Sequence, residues 1–177
     1  MERIAKRLER YTTQLVMLVT QRTAELIVER SQCDFLLMEI FPKTIIADLR
    51  RGASVHPETL DSVTVMFSDV SGFADFVQKH SPVDIMTFLN QVYSVFDLVL
   101  PSFGAYKVET IKDSYMVVSG LPEPNECHAQ ELCLLANDLI SAYVRFEETS
   151  GTALRIGLHS GSCVGGIIGN KAPRYCL

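Results

Sequence analysis

Apolar residues recur along the first forty positions in steps of three and four. Ile4, Leu8, Tyr11 and Leu15 are followed, after a second four-residue step, by Val19, Arg22, Leu26, Glu29, Cys33, Leu36 and Ile40. This is the seam of a coiled coil interrupted by a stutter. No glycine precedes Gly52, and Pro42 follows the pattern rather than breaking it. The spacing predicts one long helix that pairs with a second copy; a solvated amphipathic helix folded back onto the chain is the alternative. Arg22 and Glu29 place charge in the seam, which costs stability and fixes register and partner number. Helical turns are expected to end near Phe41–Lys43, with a short second helix over Ile45–Leu49 before a loop at Gly52–Pro57.

Beyond that loop the period shifts from 3.6 to 2, or to continuous apolar runs. SVTVMFS, residues 62–68, reads as a buried strand. Pro82, capped by Ser81, opens a helix through Leu100 with Ile85, Phe88, Leu89, Val92, Val95, Phe96 and Val99 on its inner side. Runs at about 104–110 and 114–118, linked tightly around Lys112, read as a hairpin. Pro122 and Pro124 precede a helix of roughly 125–148, and ALRIGLHSGSCVGGIIGN predicts two further strands turning at Ser160–Ser162. The order β, α, β, β, α, β, then one more strand, predicts an α+β, ferredoxin-like sheet preceded by a coiled-coil helix. The expected division is a dimerisation helix over residues 1–50 and a globular domain over 51–177.

Composition narrows the partners. A formal charge of −5, with 16 Lys and Arg scattered singly or in pairs, gives no basic field for a nucleic acid backbone. Five cysteines, Cys33, Cys127, Cys133, Cys163 and Cys176, form no CxxC pair and are odd in number, which suits the cytosol better than a disulfide framework. No apolar run is expected to approach the roughly 20 residues of a membrane span.

The topology gives two carboxylates a common address. The first and third strands of a ferredoxin-like sheet are antiparallel neighbours, so Asp69 at the end of one lies beside Asp113 at the start of the other. Such a pair suits Mg²⁺ or another hard divalent cation, with positions left for phosphate, and outlines a two-metal geometry. Either Asp alone would read as a strand-end residue. The VSGF stretch after Asp69 lets backbone amides face outward as a cradle for a triphosphate.

These residues resemble a known family. FSDVSGF and KVETIKDSYMVVSGLP are similar to the two metal motifs of the class III adenylyl and guanylyl cyclases, and LRIGLHSG and KAPRYCL add two more. The segment with QRTAEL and LLMEIFPKTIIADLRRG resembles the signalling helix that precedes the catalytic domain in receptor-type guanylate cyclases. The resemblance implies conversion of GTP to cyclic GMP at a site formed between two subunits, at the cytosolic face of the plasma membrane. It implies two Mg²⁺ or Mn²⁺ ions on Asp69, Asp113 and the carbonyl of Val70, with the amides of Ser71, Gly72 and Phe73 and the side chain of Arg155 on the triphosphate. Arg155 is otherwise an ordinary strand residue. Glu109 stands where the family reads the base and adenylyl cyclases have Lys; a carboxylate matches the two donors of guanine. Cys176 stands at the companion position, Asp in adenylyl cyclases, with Arg174 supporting that corner. Outside the family reading, Glu109 is a solvated edge residue and Cys176 a small buried one.

Some positions depart from the pattern. The family's Asn and Arg that stabilise the transition state follow its RYCL-like motif, whereas this sequence ends at Leu177, so the chain alone is expected to be a C-terminally incomplete domain of weak or no activity. Lys112 replaces a glycine, Ser71 an aliphatic residue and Ala74 a threonine. The competing expectation is therefore a catalytically inactive cyclase-like module that dimerises with and regulates an intact cyclase.

Overall fold

A computed structural model describes residues 2–53, 55–169 and 173–177. The loop Gly52–Pro57 and the motif KAPRYCL therefore lie partly outside the described residues. The chain divides into two compact units, one ending at Ile46 and one over Ala47–Leu177.

In the first unit α1 spans Glu2–Ile40, about 58 Å at the usual rise per residue. Its Thr12, Thr13, Thr20 and Thr23 hydroxyls donate to carbonyls four residues back, at 2.8–3.0 Å. Arg22 pairs with Glu25 on its own helix at 2.8 Å. The apolar seam residues are exposed along the chain, Ile4 at 71% and Leu26 at 64%. Pro42 separates α1 from α2, Lys43–Arg50; it has no N–H to continue the ladder and disfavours helical backbone in the residue before it.

The second unit is an antiparallel five-stranded sheet. Its strands are β1 (Glu58–Ser71), β2 (Ala105–Ile111), β3 (Ser114–Ser119), β4 (Ala153–Ile168) and β5 (Arg174–Cys176), in the order β2-β3-β1-β4-β5. The helices are α3 (Phe73–Lys79), α4 (Pro82–Val99) and α5 (His128–Ser150). The sheet is the expected ferredoxin-like one, with β1 central. Ser81 and Asp84 form a reciprocal capping box at the start of α4, satisfying two otherwise orphaned amides. Phe88, Val92 and Phe96 of α4 and Leu132, Leu135, Leu139 and Tyr143 of α5 then close over Met66, Val70, Tyr115 and Val117 on one face of the sheet. Each large apolar side chain so buried contributes about 1.5–3 kcal/mol.

Three expectations change. The segment Pro82–Ser102, with a mean hydropathy of 1.3, is long and apolar enough to cross a membrane by length and composition, although its Phe88, Val92 and Phe96 face is buried in the core. A separate helix, α3, starts at Phe73 of the VSGF stretch and precedes α4. Third, no turn forms at Ser160–Ser162; β4 runs on through Ile168. The bend is taken by β1 instead, where Leu60 pairs with Cys163 and Val63 with Gly161, so two β1 residues oppose one in β4, a bulge that bends a strand without ending it. Ser160 is held in the ladder by a 2.7 Å hydrogen bond between its hydroxyl and that of Thr64.

Candidate active site

Strand alternation sends Met66, Ser68 and Val70 into the helix-covered core and leaves Phe67 and Asp69 on the opposite face. The ladder carries that face across the sheet. Glu109 of β2 pairs with Met116 of β3, Met116 with Phe67 of β1, and Phe67 with Gly157 of β4. Two residues along β1, Asp69 pairs with Arg155 of β4. Glu109 and Asp69 thus share a face, with their strands separated by β3, about 10 Å across the sheet.

Asp113 reaches the same sheet end from the β2–β3 link, its carboxylate accepting from the Val70 N–H at 3.3 Å. Asp69 is held by Arg155 as a fork: Nε donates to Oδ1 at 2.9 Å, and Nη2 donates to Oδ2. The hydrogen bonds and charge of Asp69 push the Arg155 guanidinium above its ordinary pKa. Two carboxylates, one on β1 and one on the β2–β3 link beside it, with oxygen donors only, suit a hard divalent cation. Among the described residues no group of three or more His, Cys, Asp and Glu side chains gathers, so a cation here would complete its shell from backbone, phosphate or water oxygens.

Lys112, between Ile111 and Asp113, has φ 55°, backbone that glycine adopts freely and lysine does not. Tyr93 of α4 braces this link by donating to the Lys112 carbonyl at 2.6 Å. Burial, and then the charge of Asp113, push the Tyr93 phenol up to about 12, so it remains a donor. Sequence reasoning missed Tyr93; its polar tip within the apolar stripe of α4 was the available signal.

On the other side of Asp69, Ser71 ends β1 opposite Ala153. Gly72 takes φ 84°, and Phe73 opens α3 and packs against the core. A Cβ on Gly72 would meet Gly151 and Thr152 at 3.8–3.9 Å, and Thr152 is itself fixed by the Tyr143 hydroxyl at 2.7 Å. The loop therefore rests on the α5–β4 junction.

Arg174 and Cys176 lie on β5, paired with Ile168 and Gly166 of β4. Arg174 is exposed and Cys176 half-buried. Between them, buried Tyr175 meets Tyr106 of β2 edge to face, with centroids 5.8 Å apart. This contact ties β5 to the strand that carries Glu109. Gly165 leaves room for the Tyr175 ring; a Cβ there would run into its hydroxyl and lie 3.0 Å from Leu121.

Comparison with known proteins shows the family. The Adenylate and Guanylate cyclase catalytic domain model matches residues 55–177. The chain is 41% identical to the receptor-type guanylate cyclase gcy-28 of Caenorhabditis elegans, over 99% of this chain and 14% of that protein. It is 40% identical to the human atrial natriuretic peptide receptor 2, over 100% of this chain and 17% of the receptor. It thus spans about a sixth of the length of these relatives and resembles receptor-type guanylate cyclases over nearly all its own length. Among solved structures, the guanylate cyclase domain of RhGC from Catenaria anguillulae, in complex with GTP, superposes with a TM-score of 0.63 at 36% identity, covering 67% of this chain and 66% of that one. The chain belongs to the adenylate and guanylate cyclase catalytic domain family.

Proposed function

We propose that this chain is the catalytic segment of a receptor-type guanylate cyclase, converting GTP to 3′,5′-cyclic GMP and pyrophosphate. The observation that carries the reading is the convergence of Asp69 and Asp113 at one end of the sheet, on whose open face Glu109 stands. In the reaction the ribose 3′-hydroxyl gives up its proton to solvent and its oxygen bonds to the α-phosphorus, the bond from that phosphorus to the β-phosphate bridging oxygen breaks, and pyrophosphate leaves. Two Mg²⁺ or Mn²⁺ ions held by Asp69, Asp113 and the Val70 carbonyl would supply a lowered pKa for the 3′-hydroxyl and charge for the leaving group.

The remaining roles belong to the chain's own groups. The amides of Ser71, Gly72 and Phe73 would donate to phosphate oxygens, and Arg155 would grip the triphosphate as a planar fork. Glu109 would accept from N1 and the exocyclic amine of guanine, which adenine cannot match with two donors. Cys176, with Arg174 beside it, would donate weakly to O6. We place the chain in the cytoplasm at the inner face of the plasma membrane, as a dimer through the α1 seam, because the family's sites form between subunits and the seam residues are exposed in the single chain.

The test is cyclic GMP and cyclic AMP formation, with Mn²⁺ or Mg²⁺, by this chain alone and mixed with a catalytic subunit bearing Ala at both metal aspartates. Cyclic GMP from the mixture is the expected result. No product under either condition would favour a non-catalytic regulatory partner, a reading to which the left-handed Lys112 beside Asp113 lends support.

A further inference from the structure

Arg155 does not reach outward from the sheet end. It is the direct cross-strand partner of Asp69, and its fork engages both oxygens of that carboxylate. The contact is set by the β1–β4 register rather than by a loop, and it stands partly in water, with the Asp69 side chain 37% and the Arg155 side chain 67% exposed. Asp113 is held differently, through the Val70 N–H.

A carboxylate in a guanidinium fork keeps a lone pair on each oxygen, but its charge is already largely balanced, so its pull on a cation is weakened, and a guanidinium paired with a carboxylate pulls less on phosphate for the same reason. The two functions assigned to this sheet end therefore oppose each other while the pair is closed. We propose that Arg155 is an internal counterion for Asp69 that competes with the divalent cation and is exchanged onto the polyphosphate, so that cation and polyphosphate each bind poorly alone and assist one another. The inference rests on the reading of Asp69 and Asp113 as cation ligands. It predicts an unusual signature, because removing one member of the pair improves binding of the other member's ligand. A merely structural ion pair would produce no such gain.

The exchange can be measured without turnover. Mn²⁺ binding to the nucleotide-free chain is followed by electron paramagnetic resonance for the wild type, R155Q and K112Q; the last removes a nearby charge that is outside the fork. R155Q is expected to bind Mn²⁺ about fivefold tighter than wild type, and more tightly than K112Q. Inorganic tripolyphosphate binding in EDTA is measured by calorimetry for D69N and D113N, which remove the same charge from the same sheet end. D69N frees Arg155 and is expected to gain more affinity than D113N. Thermal melts confirm that each variant is folded, which the exposure of Arg155 favours. If R155Q gains no more than K112Q, or D69N no more than D113N, the exchange is overturned. Loss of Mn²⁺ binding in D69N and D113N would in that case leave the cation reading standing. If those two variants bind Mn²⁺ as well as wild type does, the cation reading falls as well.

Discussion

At one end of β1, Ser62 and Thr64 share hydrogen bonds with the two ring nitrogens of His128, at 3.0 and 2.6 Å, and Thr64 is joined in turn to Ser160. At the other end, Asp69 and Asp113 meet Arg155, the Val70 amide and a link whose first residue has left-handed backbone. Both clusters tie β1 to its surroundings with polar side chains, and both lie beside open space; a pocket of about 590 Å³ opens next to Asp61, Ser62, Asn125 and His128. They differ in what holds them. The first is made of hydroxyls and an imidazole, with Thr64 buried and Ser62 and Ser160 exposed, and each ring nitrogen has a partner inside the chain. The second is made of charges that are exposed or half-buried and lie beside a strained turn. Satisfied hydrogen-bond networks specify a fold, whereas solvated charges and backbone strain contribute little to stability and mark a place where something else binds.

The sharpest way to break this contrast is at the charged end. Asp113→Asn, assayed for cyclic GMP in the mixture with a subunit lacking its own metal aspartates, is expected to lose at least about 10²–10³-fold in turnover while the melting temperature changes little. A large stability loss with activity retained would reverse the assignment of the two ends. Next in size is base choice. Glu109→Lys combined with Cys176→Asp is expected to move product from cyclic GMP towards cyclic AMP, reducing the GTP:ATP preference by about 10² or more, since a site built for two donors is left with groups that mispair. Unchanged product ratios would remove Glu109 from base reading.

At the His128 end the effect moves from activity to stability. Thr64→Val keeps the shape of the side chain but leaves the Nδ1 of His128 and the Ser160 hydroxyl without this partner, at a cost of about 1–3 kcal/mol. A fall of several degrees in melting temperature is expected, with cyclic GMP formation per folded chain unchanged. An activity loss exceeding the loss of folded protein would make the His128 cluster part of the functional machinery.

Both ends differed in how far the sequence revealed them. The three-four spacing from Ile4 to Ile40 specifies α1, and Ser81-Pro82 with Asp84 specifies the start of α4, because helix periodicity and caps are local. Asp69 and Asp113 could be brought together because a ferredoxin-like order makes their strands neighbours. The partner of Arg155 could not be read, since it depends on the β1–β4 register across 86 residues, and a slip of one residue would have sent the side chain to the other face. Ser160-Gly161-Ser162 carries the composition of a turn, yet the bend belongs to β1 at Leu60–Val63, where a polar stretch concealed the first residues of the strand. His128 escaped notice for the same reason as the pairing of Arg155 with Asp69: its partners at Ser62 and Thr64 are set by packing, not by spacing.

The smallest expected effect concerns Lys112. Its φ of 55° costs a non-glycine residue about 1–2 kcal/mol, while glycine there loses more chain entropy on folding, by roughly 0.5–1 kcal/mol. The two terms nearly cancel, so Lys112→Gly should raise the melting temperature by no more than a few degrees. The chain tolerates lysine because the link is fixed from outside, by the Tyr93 hydroxyl on the Lys112 carbonyl. Removing that brace with Tyr93→Phe lets the link relax towards backbone that lysine prefers, so Lys112→Gly is expected to stabilise the Tyr93→Phe background less than the wild type. Equal gains in the two backgrounds, measured as a double-mutant cycle by thermal unfolding, would show that Tyr93 does not hold the turn, and that the strain beside Asp113 is carried by the hairpin alone.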